Sequence, residues 1–107
     1  MESRVIFVNE DLKQTFENLK TNDERLYKEI INAFEAIKQN AFFGRNVKKE
    51  LIPKELITKY NIDNLWIYNL RKDWRLIYSI TGNRIEVLAI ILDWMNHKDY
   101  NRLFGFN

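Results

Sequence analysis

Arg75 is the residue whose setting most needs a chemical explanation. It lies in the stretch N-L-R-K-D-W-R-L-I-Y, residues 69–78. Apolar residues alternate there with a period of two on both sides of Lys72-Asp73, as paired strands joined by a turn require. On the outgoing strand Trp74, Leu76, Tyr78 and Ile80 share one face, while Arg75, Ile77 and Ser79 share the other. A guanidinium that is always charged therefore stands among apolar neighbours at the start of a strand that reads as central, which costs solvation energy. Two partners would offset that cost. A carboxylate such as Asp93 or Glu86 on a neighbouring strand would make the position a structural ion pair; a phosphate would make it a binding site.

The other residues with chemical capacity are few. The chain has 107 residues, no cysteine and one histidine, His97. Disulfide scaffolds, thiolate zinc sites, cysteine nucleophiles and multi-histidine metal clusters are thereby excluded, and no clustered Asp/Glu motif suggests a magnesium site. The length suits one domain spanning residues 1–107, able to bury roughly 60–70% of its unfolded surface. Composition is that of a soluble globular protein, with 46% hydrophobic and 30% charged residues. No run approaches the ~18 apolar residues of a membrane span, and the N-terminus leads into no signal peptide, so a cytoplasmic protein is expected.

Charge is unevenly distributed. The net formal charge is +2, but residues 1–40 carry six Lys/Arg against eight Asp/Glu, and residues 41–80 carry eight against four. A basic middle of net +4 beside an acidic front suggests one surface that faces a polyanion. Lys48, Lys49, Lys54 and Arg71 are its candidate contacts, although lysines such as Lys59 and Lys72 also simply solvate loops.

The elements that must position these residues can be read in order. Val5-Ile6-Phe7-Val8 reads as a buried strand. Asn9 then caps a helix with Glu10 and Asp11 in its first turn and Leu12, Phe16 and Leu19 on one face. Thr21 with Glu24 has the spacing of a capping box for a second helix running to about Gln39, buried through Leu26, Ile30, Ala33, Phe34 and Ile37. So close a succession predicts an antiparallel helical hairpin. The irregular stretch 41–64 is anchored in this reading by Phe42 and Phe43, turned at Gly44, and given a short helix from Pro53 to about Tyr60. Three strands follow as a meander, Leu65–Arg71, Trp74–Ile80 and Arg84–Trp94, with a two-residue turn at Gly82-Asn83. The last strand is apolar on both faces and must be covered on both. Asn96 caps a final helical turn, His97 to Phe104, ended by Gly105. The result is an α+β fold: an N-terminal strand at a sheet edge beside the last strand, and the helical hairpin on one face of a mainly antiparallel sheet.

This order, with W-R-L-I-Y in the second meander strand and H-K-D-Y just after the third, resembles the RelE/ParE superfamily of toxins from toxin–antitoxin pairs. The resemblance covers nearly the whole chain, and the order and spacing of its short motifs give it weight. It implies the RelE-like branch, including the YoeB type, whose members cut mRNA in the ribosomal A site without a metal or other cofactor. It also implies an antitoxin partner, expected to be acidic or partly disordered, besides ribosome and mRNA. Arg75 stands where RelE-like nucleases place an arginine that stabilises the phosphate. Tyr100 stands where a tyrosine stacks on the substrate base or assists proton transfer. His97 resembles a C-terminal histidine of the YoeB type, which there directly precedes the tyrosine. Glu55 falls near the YoeB-type catalytic glutamate, and Lys48, Lys49 and Lys54 fall in the loop where RelE supplies lysines. Arg71 has no such counterpart. Neither has RelE's second arginine just after the last strand, where this chain has Trp94-Met95-Asn96.

Metal-free RNA cleavage needs a base for the attacking 2′-hydroxyl, a cation for the phosphorane and an acid for the leaving oxygen. Arg75 suits the cation, because its fork matches two phosphoryl oxygens. Glu55, His97 or a lysine suits the base. The missing arginine leaves open a ParE-type gyrase poison, or a degenerate member that only binds its antitoxin. The basic middle alone would also fit an RNA-binding domain without catalysis.

Overall fold

The computed structural model describes residues 2–83 and 85–106. The chain begins with strand β1 (Arg4–Phe7) and two helices, α1 (Glu10–Asn22) and α2 (Glu24–Gln39). A 3-10 turn (Ala41–Phe43), the two-residue strand β2 (Arg45–Asn46), a second 3-10 turn (Lys49–Leu51) and helix α3 (Lys54–Tyr60) follow. Strands β3 (Trp66–Asn69), β4 (Trp74–Gly82) and β5 (Val87–Asn96) then lead into helix α4 (His97–Phe104). The strands form one five-stranded sheet in the order β1-β5-β4-β3-β2. β1 pairs with β5 in parallel; the other pairs are antiparallel. The expected α+β architecture, with the first strand at the edge beside the last, is the observed one, and β4 is the central strand.

Local chemistry sets the helix ends. Asn9 caps α1 by accepting the Leu12 N–H at 2.8 Å. One residue, Asp23, joins the two helices. Its backbone N–H donates to the Leu19 carbonyl at 2.8 Å, closing α1, and its carboxylate accepts the Leu26 N–H at 3.2 Å, opening α2. This corrects the Thr21/Glu24 capping box. Thr21 is still inside α1, and its hydroxyl donates back to the Asn18 carbonyl at 3.3 Å.

The sheet has two buried faces. Against α1 and α2 it presents Leu76, Tyr78, Ala89, Ile91 and Trp94, packed with Phe16, Ile30, Phe34 and Ile37. The opposite face presents Ile67, Ile77, Leu92 and Met95, covered by Val47, Ile52, Leu56 and Tyr100 from the loop, α3 and α4. β5 is thus covered on both sides, as its sequence requires. A bulge interrupts its alternation: Ile77 pairs with Asp93 but Tyr78 pairs with Ile91, leaving Leu92 as the extra residue.

Both hairpin turns carry information. Lys72 and Asp73 form the first, both at positive φ (54° and 65°), with the Trp74 N–H donating to the Arg71 carbonyl at 3.4 Å. Positive φ at both central residues is what a type I′ turn requires, met here without glycine. The second differs from the expected two-residue Gly82-Asn83 turn. Gly82 is still paired, opposite Val87, and the connection runs from Asn83 to Glu86. Asn83 organises it by accepting the backbone N–H groups of Ile85 and Glu86 at 2.8 and 2.9 Å, a local bond that outcompetes the tighter turn. Arg84, taken from the sequence as the start of the last strand, lies outside the described residues. The anchoring role expected of Phe42 and Phe43 falls instead to Ala41. Ala41 is fully buried, whereas the two phenylalanines are 50% and 61% exposed and lie against Trp66 and Tyr68.

Candidate functional site

β4 delivers Arg75 to the sheet face away from the helical hairpin, between Asn69 of β3 and Met95 of β5. The residue is half-buried, and its Nη1 donates to the Trp74 carbonyl at 3.3 Å. Among the described residues no carboxylate lies within 4.0 Å of it. The structural ion pair weighed from the sequence is therefore not formed. Glu86 pairs with Arg4 at 2.6 Å, and Asp93 stands opposite Ile77, two residues further along β4.

Tyr100 comes to Arg75 from α4. Asn96 starts that helix by accepting the Asp99 N–H at 2.9 Å, and Gly105, at φ 76°, ends it. One turn in, Tyr100 points into the second-face core and is only 6% exposed. The Arg75 guanidinium carbon lies 5.5 Å from its ring centroid, a cation–π distance. The Phe104 ring packs at 4.5 Å and the Phe106 ring at 6.2 Å.

A second arginine completes the group. Arg45 Nη2 donates to the Tyr100 hydroxyl oxygen at 3.0 Å. Arg45 opens β2 and is paired opposite Ile67, which places it on the same face as Ile77 and Tyr100. Its backbone is held from the other face. The Tyr78 hydroxyl donates to the Ala41 carbonyl at 2.7 Å and accepts the Gly44 N–H at 3.0 Å. Burial pushes the Tyr78 pKa up to about 12, so the hydroxyl stays protonated as this bridge needs. A side chain at Gly44 would meet the Tyr78 hydroxyl at 2.6 Å and the Ile67 carbonyl at 2.7 Å, so the loop closes this tightly only around glycine. Sequence reasoning counted Arg45 in the basic middle but did not single it out. Its partner is 55 residues away, and no local pattern announces the contact.

None of the remaining candidates has a hydrogen bond or ion pair to either arginine among the described residues. His97 is exposed at the start of α4, its Nε2 3.0 Å from the Asn101 side-chain amide. Lys48, Lys49 and Lys54 are exposed on the loop and the start of α3, which cover the same sheet face. Arg71 is elsewhere. Its backbone N–H donates to Glu29 of α2 at 2.9 Å, and it lines a small cleft against the helical hairpin. Glu55 lines a different cleft of about 330 Å³ between α3 and α4, with Lys59, Asp93, Asp99 and Arg102. Asp93 forms part of its wall at the bulge. Burial raises its carboxyl pKa; the bond from the Trp94 N–H and the Lys59 charge pull the other way, and Asp99 adds to the rise. Among the described residues no group of histidine and carboxylate side chains could hold a metal ion, and no helix is long and apolar enough to cross a membrane.

What this arrangement can do is hold an anion at a surface. A cavity of about 500 Å³ along the outside of β1 and the start of α1 holds none of the candidate residues. Arg45 is exposed and Arg75 half-buried at the border of the covered second face, outside any enclosed cavity, which suits an extended polymer rather than an enclosed small molecule.

No protein-family model and no curated protein matches this chain. Among solved structures it is similar to a YoeB/ParE toxin from Agrobacterium tumefaciens, with a TM-score of 0.62 at 14% sequence identity. The match covers 88% of this chain and 98% of that one. At that identity the likeness is one of fold.

Proposed function

We propose that this protein is the toxin of a toxin–antitoxin pair, acting as a metal-independent, ribosome-dependent mRNA endoribonuclease. The observation that carries this reading is the convergence of Arg75 and Arg45 on Tyr100, with no carboxylate neutralising either among the described residues. The fold shared with a YoeB/ParE toxin supports the toxin class. The basic stretch 41–80 supports a polyanionic substrate.

The chemistry follows from these groups. The ribose 2′-hydroxyl attacks the adjacent phosphorus, the 5′-oxygen leaves, and a 2′,3′-cyclic phosphate and a 5′-hydroxyl result. Arg75 clamps the phosphoryl oxygens as charge builds on them, a contribution of about 3–4 kcal/mol for one preorganised donor group. The attacking hydroxyl loses its proton to a base and the leaving oxygen gains one from an acid; His97, Glu55 and the loop lysines are the candidates. Lys48, Lys49 and Lys54 contact the RNA backbone. Before activation an antitoxin with an acidic segment covers the arginine face.

The test is to add purified protein to a translating extract and map mRNA 5′ ends. Codon-phased cuts are expected, reduced about 100-fold or more by Arg75→Ala. Absence of phased cuts, or an equally active Arg75→Ala, rejects the nuclease reading. A second reading, a gyrase poison of the same fold, is favoured by one observation: among the described residues no imidazole or carboxylate is hydrogen-bonded to Arg75, Arg45 or Tyr100. Inhibition of gyrase supercoiling without mRNA cleavage would decide for it.

A further inference from the structure

Two guanidiniums drawn to one spot repel each other and must each be held by something. A carboxylate between them would do so at the expense of the positive charge that an incoming phosphate needs. Tyr100 holds both without neutralising either. Its oxygen accepts Arg45 Nη2 at 3.0 Å, while its ring lies 5.5 Å from the Arg75 guanidinium carbon. The ring is itself fixed, packed on Phe104 at 4.5 Å and only 6% exposed. So buried a ring offers no open face to an RNA base.

We propose that Tyr100 is a positioning residue that spaces Arg45 and Arg75 into a two-arginine clamp for one RNA phosphodiester, with Arg45 as the second cation of the site. The proposal rests on the nuclease reading for its substrate class, but its geometry concerns anion binding and can be tested apart from cleavage. The charge logic suits the reaction. A phosphodiester carries one negative charge and its phosphorane gains a second, so two undiminished guanidiniums match the transition state better than the ground state. The position of Arg45 on β2, fixed through Gly44 and Tyr78, makes this clamp a product of long-range folding rather than of a local motif.

The clamp makes a specific prediction about coupling. Tyr100→Phe keeps the ring against Arg75 and removes only the oxygen that holds Arg45. If the hydroxyl acts through Arg45, Tyr100→Phe and Arg45→Ala remove one interaction between them, and their effects do not add. The experiment measures binding of a fluorescent uridylate hexamer at low salt by wild type, the two single variants and the double variant, with thermal midpoints confirming that each is folded. Each single variant is expected to weaken binding about tenfold, the scale of a hydrogen bond from a charged group, and the double variant no more than either single. Additive losses, an unaffected Tyr100→Phe, or no binding by wild type would overturn the proposal. Coupled losses in a wild-type protein that cuts no mRNA would uphold the clamp and reject the nuclease reading. Additive losses beside Arg75-dependent, codon-phased cleavage would do the reverse. In a cleaving protein, a pH–rate profile that loses its alkaline limb in Tyr100→Phe would mark Tyr100 as a proton donor and overturn the positioning role.

Discussion

On the helix-covered face of the sheet, Leu76, Tyr78 and Ile91 are fully buried beneath helices of 13 and 16 residues. On the other face Ile67, Ile77 and Leu92 are just as buried, at 0–2% exposure, but beneath a 3-10 turn, a seven-residue α3 and an eight-residue α4. Among the described residues no charged side chain is buried in the core of the first face. The second admits Arg75, Arg45 and Asp93 at its borders. Long elements can seal a face completely; short ones leave gaps between them, and in those gaps charged groups reach a surface while their backbones stay fixed in the sheet. The contrast explains why one sheet can carry a rigid core on one side and a candidate site on the other.

The largest test of this contrast uses adjacent residues of β5. Ile91 faces the helical hairpin and Leu92 faces α3 and α4, and both are buried to 1% or less. Truncation to alanine costs about 2–5 kcal/mol, depending on how far the surroundings can collapse into the cavity. Ile91→Ala should fall near the top of that range, since two long helices cannot settle independently. Leu92→Ala should fall near the bottom, because short elements can. Denaturant melts of the two variants check this, and equal losses would mean that the second face is as rigid as the first.

Tyr78 connects the faces. Its ring lies in the helix-side core and its hydroxyl ties down the loop that carries Arg45 across the sheet edge. Tyr78→Phe leaves the Ala41 carbonyl and the Gly44 N–H without that partner, a loss of about 2–3 kcal/mol. RNA affinity should fall along with stability, as Arg45 loses its fixed base; a variant that loses stability but binds RNA as wild type would separate the two. The same residue gives an alkaline signature. Its folded pKa is about 12 against an ordinary value of 10.0, so its contribution is complete below pH 10 and is lost as the pH rises towards 12.

How far the sequence reveals all this follows the same division. The helix face was legible because Leu26, Ile30, Ala33, Phe34 and Ile37 repeat at helical spacing and Leu76, Tyr78 and Ile80 at strand spacing. Arg75 stood out because it breaks a period-two pattern. Arg45 did not, because a basic residue in an irregular loop is unremarkable until the fold sets it beside Tyr100. The Leu92-Asp93 bulge was equally hidden: an unbroken apolar run shows no phase that a bulge could visibly shift. Small errors came from local competition. Asp23 capped in place of Thr21, and the Asn83 side chain replaced a tight turn.

A smaller effect is expected at the first hairpin. Lys72 and Asp73 both occupy the left-handed region, at about 1–2 kcal/mol per ordinary residue, less for an Asp. Lys72→Asn with Asp73→Gly supplies the residues that a type I′ turn prefers. The double variant should gain about 1 kcal/mol in a thermal melt and leave RNA affinity unchanged, since the turn carries no part of the arginine clamp. A loss of stability would show that the native side chains contribute more than their backbone angles cost.

Asp93 offers the smallest effect and the most specific one. Burial at the bulge raises its pKa, with Asp99 adding to the rise while the Trp94 N–H and Lys59 oppose it. Below the ordinary carboxylate range Asp93 is protonated in both folded and unfolded chains and costs nothing. As the pH rises, the unfolded chain releases the proton first, so stability falls through the window between the ordinary and the raised pKa and is level above it. Asp93→Asn keeps an oxygen to accept the Trp94 N–H but has no proton to lose. The variant should therefore gain on wild type as pH rises from acid to neutral, and the two should converge in acid. Glu55 and Asp99 line the same cleft and are present in both proteins, so the difference between the two stability curves reports the removal of the Asp93 charge. A flat difference would mean that this carboxylate is solvated like any surface group, and that the gap between α3 and α4 carries no cost for the second face.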